Sequence, residues 1–361
     1  MTKKLTVGIL FGGKSVEHEI SIRSAINVVQ NMDKDRFEPV LIGIDKKGGW
    51  FQNTEVSEHI DTGDALVWYP TSEGHYLKNI ETDKELKPDV VFPVLHGTDG
   101  EDGSIQGLFQ VANLPVVGSG VLGSSVSMDK LFSKRLLKEA GVPTGNFIAF
   151  HRYQKDQVNF DDIETQLGLP FIIKPARLGS SVGVSKVNNE TEFLSALDET
   201  FQYDQVILIE EFIEGRELEC AVIGNEEPIA SRPGEIVLQK DYDFYTYEAK
   251  YLDKDAVSII VPAEVEDRIV RKIQEFSINA YQSLGCEDFA RVDLFLKEDG
   301  TVLINEVNTI PGFTNASMFP MLWQDAGITY KDLISRLIDM ALLRFNHYSQ
   351  LKTDFQVGAS E

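Results

Sequence analysis

The chain has few cysteines, a deficit of basic residues and no long hydrophobic run. Two cysteines among 361 residues, Cys220 and Cys286, are too few for a disulfide scaffold or a four-cysteine zinc site, and they are typical of a reducing compartment. No apolar run approaches the roughly 18 residues that a membrane helix requires. We therefore expect a soluble cytoplasmic protein with no membrane association.

The charge balance is strongly acidic, with 34 Lys and Arg against 57 Asp and Glu and a formal net charge of −23. Such a surface repels phosphodiester backbones and anionic lipid headgroups, so we expect no nucleic-acid and no membrane partner. The charge does not exclude a phosphate-bearing small ligand, because a few local lysines or arginines can dominate a small cleft. Hydrophobic residues make up 42% of the chain, which is ample for buried cores.

Strand and helix patterns alternate at the start of the chain. Residues 7–11, 37–44 and 88–95 are apolar segments of strand length, and residues 15–29 carry apolar side chains at helical spacing. This alternation predicts an α/β lobe with a largely parallel sheet over residues 1–118.

Two further lobes are predicted after a linker. Residues 118–125 are rich in glycine and serine, which favours a linker, so we place a central lobe at 119–210 and a final lobe at 211–361. The elements predicted in these lobes are helices at 128–140, 190–199, 264–284 and 330–345 and strands at 171–174, 206–210, 289–296 and 302–306.

Residues 8–15 fit the phosphate-loop pattern GxxxxGK[ST], but their context is wrong. In a working phosphate loop the strand ends before the first glycine, whereas here the apolar run of Val7 continues beyond Gly8. We interpret the two glycines at 12 and 13 as a tight turn into a helix whose N-terminus faces a ligand. A kinase that uses Lys14 is kept as the rival hypothesis.

Two segments of the middle of the chain suit a nucleotide. Lys174 ends an apolar strand, and the Gly-Ser-Ser-Val-Gly loop at 179–183 follows; such a loop closes over phosphate oxygens while the lysine supplies positive charge. Another apolar strand passes into an acidic stretch, where Glu210 and Glu217 suit an adenine and a ribose diol. Taken alone, the first segment favours an ordinary hairpin turn, and the second is equally compatible with a solvated acidic loop.

Two later strands place polar groups together. Strand alternation puts Arg291, Asp293 and Phe295 on one face, and Glu306 and Asn308 share a face of the next strand. Two carboxylates and an amide are hard oxygen ligands suited to a Mg²⁺ ion that bridges nucleotide phosphates. The alternative is an internal ion-pair network of the arginine with the two carboxylates. The Pro-Gly turn that follows directs N–H groups outward, as an oxyanion or carboxylate requires.

Together these segments resemble the ATP-grasp ligases, and among them the D-alanine–D-alanine ligases, over nearly the whole chain. The motifs that carry the resemblance are GGKSVEHEIS at 12–21, HGTDGEDGSIQG at 96–107, FYTYEAKY at 244–251, and RVD with NEVNTIPG at 291–312. The resemblance implies a three-domain ATP-grasp fold of mixed α/β and α+β class. Its parts are an N-terminal parallel-sheet lobe on the substrate side, a central ATP-grasp domain, and a C-terminal domain with a lid loop and a magnesium site.

The resemblance also implies the reaction. In this family the carboxylate of one D-alanine attacks the γ-phosphoryl group of ATP, and the amine of a second D-alanine attacks the resulting D-alanyl phosphate. The product is D-alanyl-D-alanine for peptidoglycan precursor synthesis. ATP is then a co-substrate, two Mg²⁺ ions per site are expected with Mn²⁺ as a substitute, and homodimers are common in the family.

By motif match, the resemblance assigns roles to individual residues. The ATP-binding residues are Lys130, Lys174, Ser181, Glu210, Phe212, Glu217, Lys250 and Phe295, and the metal ligands are Asp293, Glu306 and Asn308. The residues at the substrates are Glu17 for the first ammonium group, His96 nearby, Arg291 and the Gly312 N–H for the tetrahedral intermediate, and Ser317 and the Met318 N–H for the second carboxylate. The catalytic set is Glu17, Ser180, Tyr251, Arg291 and Gly312.

The segment 241–255 is polar and tyrosine-rich, and we interpret it as a lid that brings Lys250 to the phosphates. In dipeptide-forming relatives the tyrosine matching Tyr251 joins a hydrogen-bond chain with the residues matching Ser180 and Glu17. Relatives that make the D-lactate ester lack it, so its presence favours an amine as the second nucleophile; in the alternative it only packs the lid. The other rivals are an ATP-grasp ligase for different substrates and a non-catalytic nucleotide sensor.

Overall fold

The computed structural model describes residues 3–71, 74–239 and 257–352. The predicted lid, with Lys250 and Tyr251, lies outside the described residues. Within these ranges no helix is both long enough and apolar enough to cross a membrane.

The N-terminal part is built on a seven-stranded sheet. Its strands are β1 (Leu5–Gly12), β2 (Phe37–Ile44), β3 (Trp50–Asn53), β4 (Asp64–Thr71), β5 (Gly74–Asn79), β6 (Glu85–Leu86) and β7 (Val90–Pro93). Their order is β6-β5-β4-β3-β2-β1-β7. Strand β1 pairs in parallel with β2 and with β7, as the sequence predicts. Strands β3 to β6 extend the sheet with antiparallel pairs, so the sheet is parallel only at β2-β1-β7 and mixed as a whole, where the sequence predicted a largely parallel one.

Helices follow the strands that carry the predicted motifs. The tight turn at Gly12 and Gly13, where φ is +90° and +93°, leads from β1 into α1 (His18–Asn31), which packs on the sheet. Helix α2 (Ser104–Val111) follows the loop that begins at His96.

The segment 118–125 is not a linker, contrary to the sequence-based prediction. Its second half belongs to helix α3 (Val121–Met128). A Cβ atom on Gly123 would lie 2.4 Å from the carbonyl oxygen of Gly285, so only a glycine lets this helix pack on the neighbouring backbone. The small residues therefore reflect a close approach between two elements and not flexibility.

The central part is a four-stranded antiparallel sheet of order β10-β9-β11-β8 with three helices. Its elements are α4 (Lys130–Glu139), β8 (Phe147–His151), α5 (Phe160–Leu167), β9 (Phe171–Pro175), β10 (Ser185–Val187), α6 (Glu190–Tyr203) and β11 (Val206–Glu211). Helix α4 begins at the cap Asp129, whose carboxylate accepts the N–H groups of Leu131 and Phe132.

The last part is an antiparallel sheet of order β15-β14-β12-β16-β17, with β13 paired to β12. Its strands are β12 (Arg216–Ile223), β13 (Ile229–Ala230), β14 (Gly234–Leu238), β15 (Val257–Ile260), β16 (Phe289–Leu296) and β17 (Val302–Asn308), and its helices are α7 (Asp267–Ser283), α8 (Met318–Asp325) and α9 (Tyr330–Ser349). One buried apolar cluster contains Val7 and Phe92 of the N-terminal sheet together with Phe313, Trp323 and Leu337. This shared core fixes the N-terminal sheet against the C-terminal helices.

Candidate active site

A cavity of about 540 Å³ lies between the central sheet and the last sheet, which is within the size range of small-molecule sites. Residues of β9, β11, β12, β14, β16 and β17 line it, together with Lys130 and the loop residues 179–181. The sequence-predicted site residues that line it are Lys130, Lys174, Ser180, Ser181, Glu210, Phe212, Glu217, Arg291, Asp293, Phe295 and Glu306. Residues from four distant segments of the chain thus meet at one cavity.

The cations of the cavity are paired with carboxylates. Lys174 Nζ lies 2.9 Å from Glu210 Oε2. Lys130 Nζ lies 3.3 Å from Glu306 Oε2 and donates to the carbonyl oxygen of Leu178 at 2.8 Å. Both lysines are therefore placed to exchange a carboxylate partner for the phosphate oxygens of a bound nucleotide.

The other end of the cavity combines apolar walls with a carboxylate. Phe295 of β16 is in register with Glu217 of β12, so the two side chains share a face of the sheet. Phe212 also lines the cavity, and Lys186 Nζ lies 4.4 Å from the centre of its ring. An adenine between apolar walls and a ribose beside a carboxylate match this end.

Three carboxylates stand in register across three adjacent strands. Glu219 of β12 is paired with Asp293 of β16, and Asp293 is paired with Glu306 of β17. Arg291 donates to both oxygens of Asp293 at 2.6 and 2.7 Å, and its Nε lies 3.0 Å from Glu219 Oε2. Burial lowers the pKa of Arg291, but Asp293 and Glu219 outweigh burial and raise it well above its usual range.

The alternative of an ion-pair network is therefore partly observed. Arg291 pairs with Asp293, but its second carboxylate partner is Glu219 and not Glu306, which instead pairs with Lys130. Asn308 lies outside the cavity lining, and its Nδ2 donates to Asp293 Oδ2 at 2.9 Å. Within the described residues no cluster of three or more His, Cys, Asp or Glu side chains is arranged to hold a metal.

The oxygen atoms of Asp293 and Glu306 nevertheless suit Mg²⁺ as ligands. The side chains of Asp293 and Glu306 are 18% and 24% exposed, so their oxygens can be reached from the cavity. Carboxylate oxygens, with the amide of Asn308 beside them, are the hard ligands that this ion prefers.

A second cluster, on the N-terminal side, is linked to the cavity by Ser180. The Ser180 hydroxyl donates to the carboxylate of Glu17, which is 9% exposed at the start of α1. A Cβ atom on Gly179 would lie 3.3 Å from Glu17 Oε2, which shows how closely this loop approaches the helix. Ser180 and Ser181 have φ values of +54° and +57°, a region that residues other than glycine seldom adopt and that is common at functional sites.

His96 is buried beside the same cluster. Its Nδ1 donates to the carbonyl oxygen of Ile310 at 2.9 Å, and its Nε2 therefore accepts from the Ser24 hydroxyl at 3.0 Å. Burial lowers the pKa of His96, while Glu17 opposes this effect and Arg291 adds to it. The imidazole is thus held neutral, within the electrostatic range of both Glu17 and Arg291.

The residues predicted for the second substrate lie on the loop that follows β17 and at the start of α8, outside the cavity lining. The Ser317 hydroxyl accepts from the N–H of Thr314 at 3.0 Å, and Met318 is the first, buried residue of α8. A Cβ atom on Gly312 would lie 2.6 Å from Ser317 Oγ, so a larger residue there would displace this hydroxyl. The Phe313 N–H donates to Ser24 Oγ at 3.2 Å, which ties this loop to α1.

Lys14 does not belong to the cavity. It forms an exposed ion pair with Asp99 at 2.8 Å and lines a separate cavity of about 230 Å³. Gly8 lies inside β1, as predicted. Both observations count against the phosphate-loop interpretation.

Three residues at the site have no role in the sequence-based prediction. Glu219 is one; Glu101 is another, and desolvation, with a further contribution from Glu17, raises its pKa to about 8. The third is Lys134, which is 1% exposed and lies 3.4 Å from Glu210. Its burial could have been predicted from the sequence. Lys134 lies three residues after Leu131 and three before Leu137, which places it on the buried face of α4.

Comparison with known proteins agrees with this geometry. The family model described as "D-ala D-ala ligase N-terminus" matches residues 6–119, and the model described as "D-ala D-ala ligase C-terminus" matches residues 136–339. A D-alanine–D-alanine ligase of Shouchella clausii is 50% identical, covering 98% of each chain. The chain belongs to the D-alanine–D-alanine ligase family. The resemblance read from the motifs is thereby confirmed.

Solved structures of this family share the fold. A D-alanine–D-alanine ligase from Bacillus anthracis complexed with ATP superposes with a TM-score of 0.74 at 28% identity, covering 96% of this chain and 100% of the other. The VanG D-Ala:D-Ser ligase from Enterococcus faecalis superposes with a TM-score of 0.84 at 34% identity, covering 94% and 100%. The ATP-grasp fold is confirmed, and one of these structural neighbours is named as a D-Ala:D-Ser ligase.

Proposed function

We propose that the chain joins two D-alanines to D-alanyl-D-alanine at the expense of ATP, with ADP and phosphate as the other products, for peptidoglycan precursor synthesis. The observation that carries the proposal is the position of Ser180. This residue lines the nucleotide cavity and also donates to Glu17 of the N-terminal cluster. A nucleotide bound in the cavity and a small amino acid bound at Glu17 would therefore meet at Ser180.

In the first step the carboxylate of D-alanine attacks the γ-phosphoryl group, because a free carboxylate is a poor electrophile and an acyl phosphate is a good one. Lys130 and Lys174 bind the phosphates, and Ser181 in the loop covers them. Glu210, with Phe212 and Phe295, binds the adenine, and Glu217 binds the ribose. Positioning and charge neutralisation supply the catalysis in this kind of transfer.

In the second step the amine of another D-alanine attacks the acyl phosphate. Glu17 holds the ammonium group of the first D-alanine. Arg291 and the Gly312 N–H stabilise the oxyanion of the tetrahedral intermediate. Ser317 and the Met318 N–H bind the carboxylate of the second D-alanine, with neutral His96 nearby.

Two Mg²⁺ ions, or Mn²⁺ in their place, are part of this proposal. Asp293, Glu306 and Asn308 would hold them, and the ions supply charge neutralisation on the phosphates when bound. Because Arg291 is also paired with Glu219, its guanidinium would keep a carboxylate partner if Asp293 held a metal ion.

The choice of the second substrate rests on Tyr251, which we propose completes a hydrogen-bond chain with Ser180 and Glu17. Product analysis with D-alanine, D-serine and D-lactate in competition near neutral pH tests this assignment. We expect D-alanyl-D-alanine as the main product. A dominant depsipeptide, or dominant D-alanyl-D-serine, would overturn it.

The decisive test of the function is a coupled ADP-release assay with D-alanine as the sole amino acid. We expect D-alanine to stimulate ADP release and L-alanine not to do so. Equal ADP release with both, or none with either, would contradict the ligase assignment and favour a nucleotide sensor.

A second experiment separates the ligase from the rival phosphate-loop kinase. A Lys174→Ala variant should lose ATP affinity and a Lys14→Ala variant should keep it; the reverse would favour a phosphate-loop kinase.

Three broader expectations belong to the same proposal. We retain the domain limits 1–118, 119–210 and 211–361, and we expect a homodimer. The two cysteines described as free and buried, Cys220 and Cys286, support a cytoplasmic location.

A further inference from the structure

One buried lysine, Lys134, contacts the cavity residue Glu210 from the side that faces away from the cavity. It lies on α4 outside the cavity lining and is 1% exposed, although lysines are almost never buried unless they are paired. Its Nζ donates to the Thr144 hydroxyl at 3.0 Å and lies 5.9 Å from the centre of the Phe147 ring. The reaction described above gives this residue no role.

Lys134 and Lys174 share one carboxylate. Lys134 Nζ lies 3.4 Å from Glu210 Oε1, and Lys174 Nζ lies 2.9 Å from Glu210 Oε2. Burial raises the pKa of Glu210, but Lys134 first and Lys174 second outweigh burial and lower it. Burial lowers the pKa of Lys134, and Glu210 opposes that change. Two ammonium groups, those of Lys134 and Lys174, therefore share the single carboxylate of Glu210.

The two lysines differ in their freedom to leave Glu210. Lys174 lines the cavity and reaches Glu210 from the end of β9. Lys134 is enclosed, with its ammonium held by Thr144 and its stem packed in the core. If Lys174 turns toward the phosphates of ATP, Lys134 is the cation among the described residues that prevents Glu210 from becoming a buried carboxylate without a counter-ion, which is strongly unfavourable.

We propose that Lys134 is a positioning residue, the permanent counter-ion that keeps Glu210 ionised and directed at the adenine while Lys174 binds phosphate. The proposal rests on the function proposed above. An ionised Glu210 accepts a hydrogen bond from the 6-amino group of adenine, but it has no donor for the 6-oxo group of hypoxanthine. Lys134 therefore contributes to the preference for ATP over ITP without touching either nucleotide.

The test compares binding of ATP and ITP to the full chain by calorimetry. For Lys134→Met we expect ATP affinity to fall roughly tenfold or more, the usual worth of a hydrogen bond to a charged group. ITP affinity and the KM for D-alanine should change by less than about threefold, so the preference for ATP disappears. The matched control is Lys138→Met, which removes an exposed lysine one turn further along α4 and should leave both affinities unchanged.

Two further variants keep the test decisive if Lys134→Met does not fold. Lys134→Gln keeps a polar group beside Thr144 but removes the charge, and it should lose the ATP preference. Lys134→Arg restores a cation and should recover the preference. Parallel losses for ATP and ITP, or an ATP preference that persists without the charge, would overturn the proposal.

The wild-type chain separates this proposal from the proposed function. Equal binding of ATP and ITP by the wild type would overturn the role of Lys134 but leave the ligase assignment intact. A wild type that prefers ATP but releases no ADP with D-alanine would overturn the ligase assignment, and the nucleotide-binding test of Lys134 would still apply.

Discussion

At the scale of single residues, cations of the site in the described part of the chain are paired with carboxylates. Arg291 is paired with Asp293 and Glu219, and Lys130 is paired with Glu306. Under the proposed function, a bound nucleotide and metal ions would replace some of these partners, and Arg291 would keep one carboxylate because it is paired with two.

The role proposed for Arg291 predicts a large kinetic effect. Replacing it in Arg291→Ala removes an oxyanion donor, so we expect kcat to fall by about 10²–10³. Steady-state kinetics with D-alanine and ATP measure this. The control is Arg36→Ala, which removes an exposed ion pair with Asp339 and should leave kcat unchanged. A loss below about tenfold would remove Arg291 from the role.

At the scale of elements, helix α3 shows how tertiary packing selects composition. Its glycine and serine residues resemble a linker, but Gly123 faces the backbone of Gly285 at close range. The buried Ser124 hydroxyl also donates to the carbonyl oxygen of Ser119. A helix with larger side chains would be held away from β17 and from the turn that follows α7.

Two helical glycines provide a matched prediction. Gly123→Ala places a methyl group 2.4 Å from the Gly285 carbonyl oxygen, so we expect a loss of about 1–3 kcal/mol in the free energy of unfolding. Gly107→Ala in α2 has its nearest neighbour at 3.8 Å and should gain about 0.5–1 kcal/mol from helix propensity. Urea unfolding of both variants measures the difference. Equal stability of the two would show that the close packing of α3 has no energetic weight.

At the scale of the whole molecule, one arginine joins three parts of the chain. Arg344 of α9 donates to the carbonyl oxygen of Val116 at 2.7 Å and pairs with Glu287 at 2.8 Å and Asp288 at 3.2 Å. Asp288 in turn accepts the N–H of Gly118 at 2.9 Å. This buried cluster connects the end of the N-terminal sheet to the last sheet and the C-terminal helix.

Removing that arginine should destabilise the protein in a pH-dependent way. In Arg344→Met two carboxylates lose their cation, and we expect a loss of about 3–5 kcal/mol near pH 7. Burial raises the pKa of Asp288 from 3.8 to about 6 although Arg344 opposes the change. Between these two pH values Asp288 is therefore protonated in the folded state and ionised in the unfolded state. Protonation of Asp288 stabilises the folded state, and this contribution is lost as pH rises through about 6. In the variant the pKa of Asp288 is higher still, because Arg344 no longer lowers it, so the loss of stability continues to a higher pH. The variant should be less destabilised at pH 5 than at pH 7.

Urea unfolding at the two pH values measures this difference. The control is Arg336→Met, which changes an exposed arginine of the same helix and should stay within about 0.5 kcal/mol at both. Adding Asp288→Asn to Arg344→Met should reduce the pH dependence. The same loss at pH 5 and pH 7 would contradict the assignment to Asp288.

The sequence by itself determined the most apolar strands and five of the helices, whereas β3 to β6, β8, β10, β12 to β15 and the helices α2, α3, α5 and α8 were not predicted. Apolar runs such as Phe37–Ile44 and Phe289–Leu296 form strands with the predicted limits, because local periodicity records which face is buried. Motif spacing also placed Glu306 and Asn308 on the strand β17. These properties depend on residues close together in the chain, so they can be read without the fold.

Only the tertiary structure decided which residues meet. Ser180 and Glu17 are 163 positions apart, and although the family resemblance implies that they share a hydrogen-bond chain, no pattern in this chain predicts their contact, which depends on how a loop of the central part approaches α1. Likewise, burial in α4 was visible in the spacing of Lys134, but its partner Glu210 was not, since that contact joins two elements through packing. Charge pairing inside a protein follows from distances across the assembled core, and no local pattern encodes those distances.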